Sequence, residues 1–156
     1  MATINNFEEL KVWQKAIDIA SRVYVLTKGI KDYYLRDQIN RAALSISNNI
    51  AEGFEYSNAA DFNRFLAIAK GSCGEVRSML FFLECNQLVS DAISAQIKQD
   101  CAELGRQIGS LKTYLVKYRQ TSKNNIVKES AAPYGADKEE DQFSNIAFAA
   151  NEILNS

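Results

Sequence analysis

The sequence predicts an all-α protein: an antiparallel up-down-up-down four-helix bundle with a short C-terminal extension. Three observations carry that expectation. Proline occurs once, at Pro133, so none interrupts a helix before that point. Apolar residues recur every three or four positions through four long blocks, the spacing of one face of a helix. Hydrophobic residues make up 47% and charged residues 24% of 156 residues, a folding composition. At about 100 to 200 residues per domain, that length suits one core.

The first helix is read over residues 7 to 27. Leu10, Trp13, Ile17, Ala20 and Tyr24 form one seam. Val12, Ala16, Ile19, Val23 and Leu26 form a second, rotated by about 100 degrees, so the apolar face is wider than one bundle contact requires. Asn5 or Asn6 can cap its start, and Gly29 marks its end. After a loop over residues 28 to 34, Leu35, Ile39, Ala42, Ile46, Ile50 and Phe54 define the second helix. Ser45, Ser47, Asn48 and Asn49 make its middle small and polar, suited to a close neighbour or to hydrogen bonds between helices. Gly53 reads as its stop.

Ser57 or Asn58 can cap the third helix, with Asp61 in the first turn, where a carboxylate complements the helix dipole. Phe62, Leu66, Ala69, Cys73, Val76, Leu80 and Leu83 form its main seam. Phe65, Ile68, Met79 and Phe82 form another beside it, interrupted by Ser72 and Glu75. Gly71 and Gly74 each cost about 1 kcal/mol against alanine inside a helix, which points to close helix packing as compensation. The fourth helix starts at Ser90 or Asp91 and keeps a 4-3 alternation through Ile97, Cys101, Leu104, Ile108, Leu111, Leu115 and Tyr118. Gly105 and Gly109 offer a smooth strip to another helix.

The bundle is thus expected over residues 1–120 and an acidic extension over 121–156. Residues 121–142 read as a solvated linker. Phe143, Ile146, Ala147, Ala150, Ile153 and Leu154 can make a short amphipathic helix, too short to be stable alone. It reads either as a frayed terminus or as a docking segment for the same oligomer or a partner. Because the first and third helices carry more apolar width than the bundle needs, self-association is expected.

Histidine is absent, which removes the commonest general base, metal ligand and nucleophile partner, including the Glu-x-x-His pairs of di-metal bundles. Cys73, Cys85 and Cys101 show no CxxC spacing and read as buried thiols in a reducing cytoplasm. The polar, acidic start does not resemble a secretory signal, and no run of 18 apolar residues suggests a membrane span. Residues 1–120 hold 15 Lys+Arg against 13 Asp+Glu, and residues 121–156 hold 3 against 6. The body is only slightly basic, so charge alone does not argue for nucleic acid.

The segment from Gln38 to Gly74, QINRAALSISNNIAEGFEYSNAADFNRFLAIAKGSCG, resembles the small four-helix-bundle proteins encoded in intervening sequences of bacterial 23S ribosomal RNA genes. The resemblance rests on Gln38, Arg41, Ala42, Ser45 and Ile46, on Asn49-Ile50-Ala51-Glu52-Gly53, and on Phe62, Phe65-Leu66, Ile68-Ala69, Gly71-Ser72 and Glu75. FEELKVWQKA at residues 7–16 is similar to the family's opening, and the likeness covers about residues 7–119. It implies an antiparallel bundle in a ring-like homo-oligomer, a pentamer, with no enzymatic activity and no cofactor. It also implies an association with RNA, and a related fold serves as accessory protein of diversity-generating retroelements, binding a reverse transcriptase and nucleic acid. Those relatives tend to be basic, which this chain is not.

The preferred function is therefore a non-enzymatic oligomeric scaffold that binds a protein or RNA partner. The alternative is a nucleic-acid-binding accessory factor, with Lys11, Lys15, Arg22, Arg41, Arg64, Lys70 and Arg77 as candidate contacts and Arg36 beside them. Lys11, Lys15 and Arg22 share one helix face. Arg41, Glu52, Arg64 and Glu75 are expected to pair between the second and third helices. Asn49, Ile50, Ala51, Glu52, Gly53, Gly71, Ser72 and Glu75 are assigned structural roles.

Overall fold

The computed structural model describes residues 3–128 and 137–153. A 3-10 turn at Phe7–Glu9 precedes five α-helices among these residues: α1 Lys11–Thr27, α2 Tyr33–Glu55, α3 Ala59–Cys85, α4 Asp91–Lys128 and α5 Asp137–Ile153. α1 packs on α2 and α4, and α3 packs on α2 and α4, so the first four helices close a bundle as expected.

The core follows the main seams. Val12, Ala16, Ile19 and Val23 from α1, Ile39, Ala42, Ile46 and Ile50 from α2, and the whole series Phe62 to Leu83 of α3 are buried with Ile97 to Leu115 of α4. At about 1.5–3 kcal/mol for each large apolar side chain removed from water, this seam dominates the favourable side of folding. The neighbouring seam of α1 divides: Leu10 and Ala20 are buried, while Ile17 and Tyr24 are exposed.

Several boundaries move from the sequence expectation. The glutamate of the 3-10 turn, Glu9, accepts from the Asn5 and Asn6 backbone N–H groups at 3.2 and 3.1 Å, and α1 proper begins only at Lys11. α2 begins at Tyr33 because Asp32 caps it, accepting from the N–H groups of Tyr34 and Leu35 at 2.9 and 3.2 Å. Asn58 caps α3 through the Asp61 N–H at 2.9 Å. Gly53 does not stop α2. It is buried inside the helix, where a Cβ would stand 2.6 Å from Phe65 Cβ and 3.1 Å from Phe62 Cδ2, so it lets α3 approach closely.

Gly71 and Gly74, expected at a close packing, instead lie exposed with nothing within 4 Å of a Cβ. Gly105 meets only Cys73 Cβ, at an ordinary 3.8 Å, and Gly109 meets Lys70 Nζ at 3.2 Å. Among the described residues, glycine also supplies no left-handed position. Ser57 and Gln87 take such positions, at φ 53 and 56 degrees. Gln87 ends α3 with its N–H on Glu84 O and the Leu88 N–H on Leu83 O, both 2.9 Å, a Schellman arrangement.

The expected linker over 121–142 is partly helical, since α4 runs to Lys128 and α5 begins at Asp137. Nor is the C-terminal segment a frayed terminus. Phe143, Ile146, Ala147 and Ala150 are buried, with the Phe143 ring 5.2 Å from Phe54 and 5.6 Å from Phe62. The Ile4 N–H donates to Ser144 O at 3.3 Å. Asn151 Oδ1 accepts from the Lys11 N–H at 2.9 Å, supplying the cap that Leu10 cannot offer to α1. The helix therefore docks on its own bundle. Leu154, also assigned to that seam, lies outside the described residues.

Candidate interaction surface

The motif residues gather on adjoining turns of α2 and α3. At the centre, Ser72 Oγ donates to Ile68 O at 3.1 Å and lies 2.9 Å from Ser45 Oγ, whose hydroxyl can donate to it, while Asn49 Nδ2 donates to Ser45 O at 2.7 Å and Ser45 Oγ at 3.0 Å. Of the small polar middle of α2, Ser45 thus bonds across to α3, while Asn49 and Ser47 bond within α2. Ile50 lies in the core and Ala51 is half-buried, while Glu52, Gly71 and Glu75 face outward. Next to Gly53, the Phe65 ring stacks on Tyr56 at 5.3 Å with Arg64 above it at 4.5 Å.

Two outward faces carry apolar side chains that the bundle leaves uncovered. On α3, Ile68 and Phe82 are 46% and 51% exposed, and beside them the exposed Ala67, Gly71, Gly74 and Ser78 form a small-residue strip. Across the bundle, α1 and α2 enclose a groove of about 1160 Å³. Ile17, Ala20 and Leu44 give it apolar walls, and Tyr24, Tyr33 and Tyr34 stand at its rim. Lys28 sits over the Tyr24 ring at 5.1 Å and Arg36 over Tyr33 at 4.5 Å. Sequence reasoning anticipated the extra width of α1 and α3. It missed Tyr33, Tyr34 and Leu44, although paired tyrosines just after an aspartate cap were the available signal.

The candidate cations do not form one basic face. Lys15 Nζ bonds Gln107 Oε1 at 3.0 Å and lies 3.5 Å from Glu103, while Arg22 bridges Asp18 and Asp100 at 2.8 and 2.7 Å. Burial works against the Arg22 charge, but the hydrogen bond to Asp100 and both carboxylates outweigh it and hold its pKa above the ordinary value. This side of α1 is an ion-paired seam to α4. Arg41 pairs with Asp37 at 2.6 Å and Arg64 with Asp61 at 3.5 Å. The expected pairing of Arg41 and Arg64 with Glu52 and Glu75 is therefore replaced by pairs within each helix, where carboxylates three or four residues away are nearer. Lys11 is exposed on α1, while Lys70 and Arg77, seven residues apart, share one exposed face of α3.

The other titratable groups serve packing. Burial pushes the Cys73 and Cys101 thiols up to about 12, so neither is a nucleophile near neutral pH, whereas Cys85 is exposed. Its location corrects the expectation of three buried thiols. Glu84 is held below the ordinary carboxylate value by the Lys98 ammonium 2.6 Å away, which also lies 3.6 Å from the Phe81 ring centre. Among the described residues, no group of three acidic, cysteine or histidine side chains could hold a metal, and no helix is long and apolar enough to cross a membrane.

Comparison with known proteins agrees with the motif. The family described as 23S rRNA-intervening sequence protein matches residues 8–110. A solved structure of a protein with unknown function from the S23 ribosomal protein family of Bacteroides thetaiotaomicron VPI-5482 is similar at 27% identity and a TM-score of 0.62. That match covers 65% of this chain and 97% of the other. No curated protein matches the chain.

Proposed function

This chain belongs to the 23S rRNA-intervening sequence protein family, and from that premise we propose that it is a non-enzymatic scaffold that works as a homo-oligomeric ring. The observation that carries the proposal is the pair of uncovered apolar faces on different sides of one bundle: the α3 ridge with Ile68 and Phe82, and the α1–α2 groove with Ile17, Tyr24 and Leu44. Two different patches that fit each other give head-to-tail contacts, and such contacts close into a ring when the rotation between copies allows it. Five copies is the number the family resemblance implies. The Ser45–Asn49–Ser72 cluster fixes the register of α2 against α3, and so the shape of the ridge a neighbour would meet. Buried thiols and ion-paired charges in place of a reactive cluster support a binding role, in a reducing cytoplasm where the cysteines stay thiols.

RNA contact is the rival reading. It would require Lys15, Arg22, Arg41 and Arg64 to exchange existing carboxylate partners for phosphates. Light scattering across a hundredfold concentration range tests the scaffold: a mass several times that of the chain is expected, and a monomer throughout would refute it. Retention of structured RNA in a low-salt filter assay, lost on Lys11, Lys70 and Arg77 substitution, would instead favour an accessory factor for RNA or reverse transcription.

A further inference from the structure

The seat beneath α5 is unusually specific for the end of a helical bundle. Its apolar part is made by Phe54 and Phe62, whose rings receive Phe143, while Ile4 lies alongside Ser144. Its polar part is a matched pair of backbone groups. The Lys11 N–H donates to Asn151 Oδ1 at 2.9 Å, and Glu9 O accepts from Asn151 Nδ2 at 3.4 Å. Any amphipathic helix can fill the first part. The second requires an amide side chain two turns beyond an aromatic anchor, which is what α5 presents with Phe143 and Asn151.

The family match ends at residue 110, and a match to 65% of this chain already accounts for 97% of the solved relative. α5 thus lies beyond the part of the chain that the family match covers. Eight residues, 129–136, separate α5 from α4 in the sequence.

We propose that α5 is an exchangeable arm, docking on its own bundle in the isolated chain and on the same seat of a second copy in the assembly. This rests on the homo-oligomer proposed above, which supplies each α5 with a second, identical seat. The occupant is identified by its chemistry: the aromatic anchor and the capping amide of Asn151 occur together on α5 of every copy. Exchange leaves each seat filled and each α1 capped, so the contacts seen within one chain are retained between chains while the copies become tied together.

Disulfide trapping in the full chain tests this, with Cys85→Ser removing the exposed thiol. Ile4→Cys and Ser144→Cys are placed on separate chains, co-expressed with distinguishable tags and oxidised. A band of twice the chain mass carrying both tags, removed by reductant and lost when Phe143→Ser and Asn151→Ala are added to the Ser144→Cys chain, is expected. The proposal is overturned if the separate chains stay uncrosslinked while a chain carrying both cysteines closes on itself. It is equally overturned if that doubly substituted chain forms no bond at all, since the seat would then be misassigned. Light scattering on the Cys85→Ser protein separates the two failures: a monomer removes the scaffold proposal, whereas an oligomer without exchange removes only the arm.

Discussion

On its inner face α3 carries Leu66, Ala69, Cys73, Val76 and Leu80, each at most 2% exposed, whereas its outer face carries Ile68 and Phe82 at 46% and 51%. The same helical periodicity generates both rows. What separates them is the presence of α2 and α4 on one side and the absence of a described helix on the other. Glycine divides in the same way. Gly53 lies against Phe62 and Phe65 where no further atom fits, while Gly71 and Gly74 look onto open space. An apolar row is thus a statement about burial, and only the packed structure tells whether the burying surface belongs to the same chain.

The largest expected contrast comes from truncating one residue of each row. Leu66→Ala should cost about 2–5 kcal/mol, the range for buried leucine, read as a lower urea midpoint. Ile68→Ala should change the stability of the monomer by about 0.5 kcal/mol or less. Equal losses would mean that the two rows are not distinct. A smaller but still clear contrast is expected at the glycines. Gly53→Ala should destabilise by about 1–3 kcal/mol through overpacking against Phe65. Gly71→Ala should stabilise the monomer by about 0.5–1 kcal/mol by removing unfolded-state freedom. In the oligomer, loss of assembly by Gly71→Ala would show that the strip is a close contact between copies.

A further difference of about 1 kcal/mol is expected at the α3 end, where Gln87→Gly should raise the thermal midpoint by relieving a left-handed φ of 56 degrees. A lowered midpoint would mean that the glutamine side chain matters more than its backbone. The thiols provide the gentlest probe. At pH 8 the native protein should label once, at Cys85, and three times when denatured. Because folding raises the Cys73 and Cys101 pKa from 9.0 to about 12, their contribution is intact below pH 9 and is lost as pH rises from there through 12. Three fast native thiols would contradict the sealed inner face.

Much of this was legible in the sequence, for physical reasons that can be stated residue by residue. The seams of α3 and α4 could be read because an apolar repeat near 3.6 residues, sustained over many turns, fits a buried helix face and little else. The Gly53 contact could not, since a glycine near a helix end and a glycine under a phenylalanine look alike until the partner helix is placed. Ser57 and Gln87 gave no warning, because left-handed positions are expected at glycine or asparagine. The docking of α5 depends on an asparagine meeting a backbone N–H 140 residues away, a contact no local pattern encodes. The ion pairs went to near carboxylates, Asp37 and Asp61, where sequence reasoning looked to the neighbouring helix.

The central claim is that the outer row of α3 is an inner surface of an assembly. Light scattering of Ile68→Asp alongside the unaltered protein, at matched concentration, tests it most directly. The unaltered chain is expected at a several-fold multiple of 17.5 kDa, and Ile68→Asp at or near 17.5 kDa with helical content and urea midpoint of the monomer retained. An unaltered mass for Ile68→Asp, or a monomeric parent, would contradict it.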